Sequence, residues 1–340
     1  MTDLVARAHA LADDLLFPAA TEVDTKGEVP SSHFDALAAE GFYGLAAPKE
    51  AGGPGADLPT IVQVLEVMAG GCLSTMFTWI QHHGLVAALS QADSPDSAEL
   101  RERYLPALIS GELKAGAAFA AVIPTPPRLR AERVEGGYLL DGEAPFVSGW
   151  GVIDLLQLCA RDGDTVLSAI IDPVAGERLE VRPLDLVAAQ GTATVHLGFT
   201  RYFLADERVY GKTPHADFVA GNTFASRLNG CAPLGLAARP ARLIEDLGKA
   251  DVAAGIRAEI DAVRGRLDAA LADPPSLPAA RAAGAELAFR AAGALVAANG
   301  STSVLAGRHP QRLVREATFL LVAASRPEIK TGLLELFSRN

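Results

Sequence analysis

The hydrophobic residues of this chain change period twice, and few folds accommodate both changes. Over the first 118 residues the apolar spacing is helical. Phe34, Leu37, Ala38 and Phe42 fall on one helix face after Ser31-Ser32, and Gly41 and Gly44 close that run. Residues 58–68, 75–89 and 100–108 are apolar enough for buried helices, and the Gly/Pro stretch 48–57 is a loop. From 119 to 212 the period falls to two. Tyr138-Leu139-Leu140 follows a Gly136-Gly137 turn, residues 155–160 and 166–171 flank Arg161-Asp162-Gly163-Asp164 as a hairpin, and 194–199 alternate polar and apolar. From 213 to 340 the helical period returns. Ile256, Ile260, Val263, Leu267 and Leu271 mark one buried face, and residues 279–298 and 313–322 are further helices, the first ended by Asn299-Gly300. The expectation is a mainly α protein with a central β domain: an N-terminal helical domain (1–118), a middle β domain (119–212) and a C-terminal helical bundle (213–340).

Charge and composition narrow the function. The 340 residues carry 30 Lys+Arg against 41 Asp+Glu, a formal net charge of −11. With no Lys/Arg run, that balance argues against a nucleic-acid partner. No apolar run reaches the ~20 residues needed to span a bilayer, so no membrane insertion is expected. The opening Met1-Thr2-Asp3-Leu4 lacks a basic and apolar leader, which points to a cytoplasmic protein. Cys72, Cys159 and Cys231 are far apart and odd in number, as for reduced thiols. No His/Cys/Asp/Glu spacing suggests a metal site, and no nucleophile elbow, P-loop or dinucleotide fingerprint is present.

Two segments carry a resemblance to a known family. Gly41-Phe42-Tyr43-Gly44-Leu45-Ala46-Ala47-Pro48-Lys49-Glu50-Ala51-Gly52-Gly53 and Tyr104-Leu105-Pro106-Ala107-Leu108-Ile109-Ser110-Gly111-Glu112 resemble N-terminal motifs of acyl-CoA dehydrogenases. The α–β–α order is similar to theirs, and the likeness covers nearly the whole chain, weakest over residues 240–300. It implies an N-terminal helical domain, a middle β-barrel domain and a C-terminal bundle. It also implies FAD, an acyl-CoA or acyl-carrier thioester substrate, and assembly into homo- or hetero-oligomers with another such chain.

The same resemblance exposes a gap. In the family the last helix leads to a Tyr-Glu-Gly-Thr motif whose Glu removes the α-proton of the thioester. Lined up from Arg315, that position falls on Ala324, and the alternative Glu position of some members falls on Ser226. Neither Ala nor an unactivated Ser serves as a general base, so no catalytic residue is assigned. His82 and His83 are the remaining candidates for a base, and Trp79 and Arg227 are expected to line the acyl site. The turn Phe146-Val147-Ser148-Gly149-Trp150 matches the flavin turn, with Phe146 as aromatic wall and Ser148 as hydroxyl. Ala121 stands where a Thr bonds the pyrimidine ring, and Gly300 and Ser301 stand in a degenerate phosphate loop. Arg315-Glu316 reads as a structural pair. Three functions stay open: a flavin-dependent oxidoreductase dehydrogenating an acyl thioester without the usual Glu, a non-catalytic partner subunit of a heteromeric enzyme, or a flavin monooxygenase on the same fold.

Overall fold

A computed structural model describes residues 2–91, 95–221 and 223–338. Seven helices open the chain: α1 (Thr2–Leu11), α2 (Phe17–Lys26), α3 (Ser31–Ala39), α4 (Leu58–Gly71), α5 (Leu73–Ile80), α6 (His82–Ser90) and α7 (Pro95–Ser110). A π-helical stretch, Ala12–Leu16, joins α1 to α2. Eight strands follow: β1 (Ala115–Ala118), β2 (Leu129–Val134), β3 (Gly137–Val147), β4 (Leu155–Asp162), β5 (Thr165–Ile171), β6 (Leu179–Pro183), β7 (Val195–Ala205) and β8 (Val209–Pro214). The C-terminal helices are α8 (His215–Ala220), α9 (Thr223–Asn229), α10 (Cys231–Asp246), α11 (Ala250–Ala269), α12 (Leu277–Asn299), α13 (His309–Leu320) and α14 (Pro327–Phe337).

The strands form one eight-stranded sheet in the order β6-β7-β3-β2-β4-β5-β8, with β1 paired parallel to β4. The β4–β5 hairpin forms around Gly163, whose φ of +56° is the left-handed conformation that favours glycine. β4 reads Leu-Leu-Gln-Leu-Cys-Ala-Arg and is buried along nearly its whole length, as a central strand covered on both faces must be. The sheet has its own core, built on Leu140, Leu156, Leu158, Leu167, Leu197 and Phe199. β1 comes from an Ala-rich stretch that reads as the tail of the helical zone. Its register against β4, Ala115 opposite Leu155, makes it a strand instead.

The first and last helices share one hydrophobic core. Leu65, Met68 and Met76 of α4 and α5 pack with Leu234 and Ile244 of α10, Ile260 of α11, Leu287 of α12 and Leu313 of α13. The tightest crossing is α4 on α10. A Cβ on Gly235 would stand 2.0 Å from the Glu66 carbonyl oxygen, so only glycine fits there. On the same side Arg239 Nε donates to the Gly70 carbonyl at 2.7 Å, and its Nη2 is 2.7 Å from Asp13 Oδ1. Among the described residues, no helix is long and apolar enough to cross a membrane.

Candidate active site

Four segments meet at a narrow cavity. α5 contributes Met76, Phe77 and Ile80; the α9–α10 junction contributes Asn229, Ala232 and Pro233; α12 contributes Arg281; the end of α13 and the following loop contribute Leu320, Ala323 and Ala324. The interior volume is about 10 Å³, room for roughly one water-sized group. Ala324 stands at the mouth and is exposed. Its φ is +48°, a left-handed backbone that is uncommon outside glycine, Asn and Asp. The loop then straightens at Arg326 (φ −124°, ψ 164°), because Pro327 disfavours a helical residue before it and suits the first turn of α14. No lining residue is a carboxylate, and Arg281 is the one charged side chain among them.

The second expected Glu position, Ser226, meets this region through its backbone: Arg281 Nη1 donates to the Ser226 carbonyl at 2.9 Å. Two expected lining residues point elsewhere. Arg227 is wholly buried but turns to α11, where its Nη2 lies 2.6 Å from Asp268 Oδ1 and its Nη1 reaches Cys231 Sγ at 3.5 Å. Trp79 does not line the cavity; it turns to the side of α5, edge-on to Phe42 at 6.3 Å and to His83 at 4.6 Å. The cavity-facing residues of α5 are Met76 and Ile80, one helical turn apart, with Phe77 beside them.

The two histidines of α6 do not supply a base at this cavity. His82 Nδ1 accepts the Ala115 N–H at 3.0 Å, so its Nε2 carries the proton and donates to the Leu108 carbonyl, also at 3.0 Å. Both nitrogens are engaged in joining α6, α7 and β1. Burial pushes His82 down to about 3, against the rise from its backbone bonds. His83 is held well below the usual histidine range, first by burial and then by His82 beside it; neither of its ring nitrogens has a partner. Neither ring is among the cavity's lining residues.

The residues assigned to flavin lie on the sheet and at the end of α12. Phe146 has a left-handed φ of +56° and a ring left 69% exposed, as an aromatic shelf would be. Ser148, in contrast, is buried, and its hydroxyl meets Thr194 Oγ1 at 2.8 Å, which meets Thr192 Oγ1 at 2.7 Å. The backbone N–H of Gly149 donates to the Thr192 carbonyl and that of Trp150 to the Ala193 carbonyl. Thr78 of α5, which the sequence did not single out, lies against Gly149 and has a buried hydroxyl without a partner. Ala121 is fully buried in the sheet's core, and its carbonyl accepts the Arg128 N–H at 2.8 Å. Gly300 (φ 78°) ends α12. Asn299 Nδ2 donates to Thr302 Oγ1 and Ser303 Oγ across the turn, while Ser301 is exposed. A flavin requires donors along its N1–O2–N5 edge. This chain offers a ring shelf, the Thr78 hydroxyl and the exposed Ser301, while the Ser148 hydroxyl is already paired with Thr194.

Arg315 and Glu316 do not pair with each other. Arg315 joins Asp24 of α2 and donates to the Val187 carbonyl, whereas Glu316 pairs with Arg312 at 2.6 Å, both buried. A helix places i and i+4 side by side and i and i+1 apart.

The chain matches known proteins along most of its length. Residues 2–112 match the acyl-CoA dehydrogenase N-terminal domain. The 3-sulfinopropanoyl-CoA desulfinase of Cupriavidus necator is 32% identical over 212 residues, 58% of this chain and 52% of that protein. The chain thus aligns with about half the length of the curated relatives it matches. The butyryl-CoA dehydrogenase of Megasphaera elsdenii superposes with a TM-score of 0.84 at 16% identity, covering 99% of this chain and 98% of that one. A glutaryl-coenzyme A dehydrogenase in its glutaryl-CoA complex superposes with a TM-score of 0.85 at 18% identity, covering 99% and 95%. With the helix–sheet–helix order, these likenesses show that residues 2–112 form an acyl-CoA dehydrogenase N-terminal domain and that the chain as a whole has the acyl-CoA dehydrogenase fold.

Proposed function

We propose that this protein is an acyl-CoA dehydrogenase-like, thioester-binding protein that does not take the α-proton itself. The observation that carries this reading is the cavity between α5, α10, α12 and the end of α13, which Ala324 lines and in which no lining residue is an acid. Several of the curated relatives are named for acyl-CoA thioesters, including 3-sulfinopropanoyl-CoA and benzylmalonyl-CoA, and this chain takes a thioester of that class. Without a base, α,β-dehydrogenation loses about 10²–10⁴-fold or more.

The engaged donors at Ser148, Gly149 and Trp150 favour the partner-subunit form of this reading. FAD is then held weakly by this chain alone, or with donors from a second acyl-CoA dehydrogenase-like chain. The protein's own contribution is an apolar wall of Met76, Phe77 and Ile80 at the inner end of the site, too narrow to hold more than a water-sized group.

Purification tests this directly. Incubated with FAD and desalted, the protein alone retains flavin far below one equivalent, and anaerobic addition of butyryl-CoA does not bleach what remains. Stoichiometric yellow protein that bleaches with butyryl-CoA contradicts the proposal.

A further inference from the structure

Five buried arginines stand out: Arg161, Arg227, Arg239, Arg281 and Arg312. Four of them face a carboxylate: Asp164, Asp268, Asp13 and Glu316, respectively. Among the described residues Arg281 faces none. It is 5% exposed, its Nη1 donates to the Ser226 carbonyl, and its Nε has no partner. A buried guanidinium without an anion is costly, and proteins rarely keep one without a use. Its surroundings add donors rather than acceptors. Ser325 Oγ and Arg326 Nη2, in the two residues that follow the lining residue Ala324, are also buried and unpartnered.

We propose that Arg281, with Ser325 and Arg326, forms a binding site for an anionic group, a carboxylate or its isosteres, held at the cavity mouth beside Ala324 with one oxygen in the water-sized interior. A guanidinium presents a planar fork of donors matched to such a group, and a charge-assisted bond there is stronger than a neutral one. Burial pushes Arg281 down to about 10, and the Arg326 charge pushes the same way, so the guanidinium is still protonated at neutral pH. An incoming anion relieves both effects. The cavity lining carries a cation and no acid, which selects an acyl chain ending in an acid. The thioester form of this proposal rests on the reading above; the anion itself does not.

Calorimetry separates the two. Succinyl-CoA and butyryl-CoA both carry a four-carbon acyl group, and only the first ends in a carboxylate. Succinyl-CoA is expected to bind about tenfold tighter or more. Arg281→Met, which puts an unbranched apolar side chain in place of the cation, brings the ratio of succinyl-CoA to butyryl-CoA affinity, both measured on the variant, to about one; Arg326→Gln lowers that ratio partly. Equal affinities in the wild type, or a preference that survives Arg281→Met, overturn the anion site while leaving thioester binding standing. If neither ester binds, the thioester reading fails and succinate alone decides. A succinate-dependent rise in Tm that Arg281→Met abolishes supports the site. No rise, or an equal rise in both proteins, overturns it.

Discussion

His83 is the residue whose chemistry is most at odds with its place. Its ring packs edge-on to Trp79 and His82, and both of its nitrogens lack partners. Burying an unsatisfied polar group costs about 1–3 kcal/mol. His83→Phe keeps the ring contact and removes the two orphan atoms, so it is expected to raise stability at pH 7 by about 1 kcal/mol in urea denaturation. A loss of similar size contradicts this account of the residue. The variant also tests the sign of a pH effect. His82 and His83 are depressed in the folded protein, so the unfolded chain binds more protons on the acid side of the ordinary histidine value. Their contribution is present above about pH 6.5 and is lost as the pH falls toward about 3. The slope is at most about 1.4 kcal/mol per pH unit for each ring. Glu66, raised chiefly by burial, acts in the opposite sense. His83→Phe flattens the acid slope by about one histidine's share, and an unchanged slope counts against the assignment.

At the scale of elements, a buried arginine paired with a half-exposed carboxylate ties two C-terminal helices together. Arg227 of α9 reaches Asp268 of α11. Asp268→Ala strands that cation in the interior, and an unfolding titration is expected to show a loss of about 3 kcal/mol. A loss below about 0.5 kcal/mol shows that water or another group satisfies the guanidinium. The elements themselves were largely legible. The apolar runs at 58–68 and 155–160 became α4 and β4, and the spacing of Ile256, Ile260, Val263 and Leu267 became the buried face of α11. What the sequence hid were facing directions set by packing. The run 75–89 reads as one helix, yet it divides into α5 and α6 around Gln81, and which face of α5 meets the cavity depends on α10 and α12. Trp79 and Arg227 were therefore placed in the site by likeness and found in the core. Arg281 had a signal that went unread: a cation on the same face as Ala288 in an Ala-rich helix, where a polar residue needs a partner.

The whole molecule is a family scaffold in which helices from both ends of the chain close one core and the sheet carries its own. Two features bear on the proposed function: no acid lines the cavity at Ala324, and the Ser148 hydroxyl meets that of Thr194. Co-expression with a full-length acyl-CoA dehydrogenase-like partner is expected to give a mixed oligomer that retains flavin, seen as co-elution with absorbance near 450 nm, whereas this chain alone elutes colourless. A yellow homo-oligomer contradicts the partner-subunit form. The central claim, that no group here accepts the α-proton, has a test that does not involve flavin. The protein is saturated with butyryl-CoA in D₂O, with binding verified by calorimetry, and the α-protons are followed by NMR. The account predicts loss of the α-proton signal no faster than in protein-free buffer. Protein-dependent exchange that scales with enzyme concentration would show that a base is present and that Ala324 is not the end of the matter.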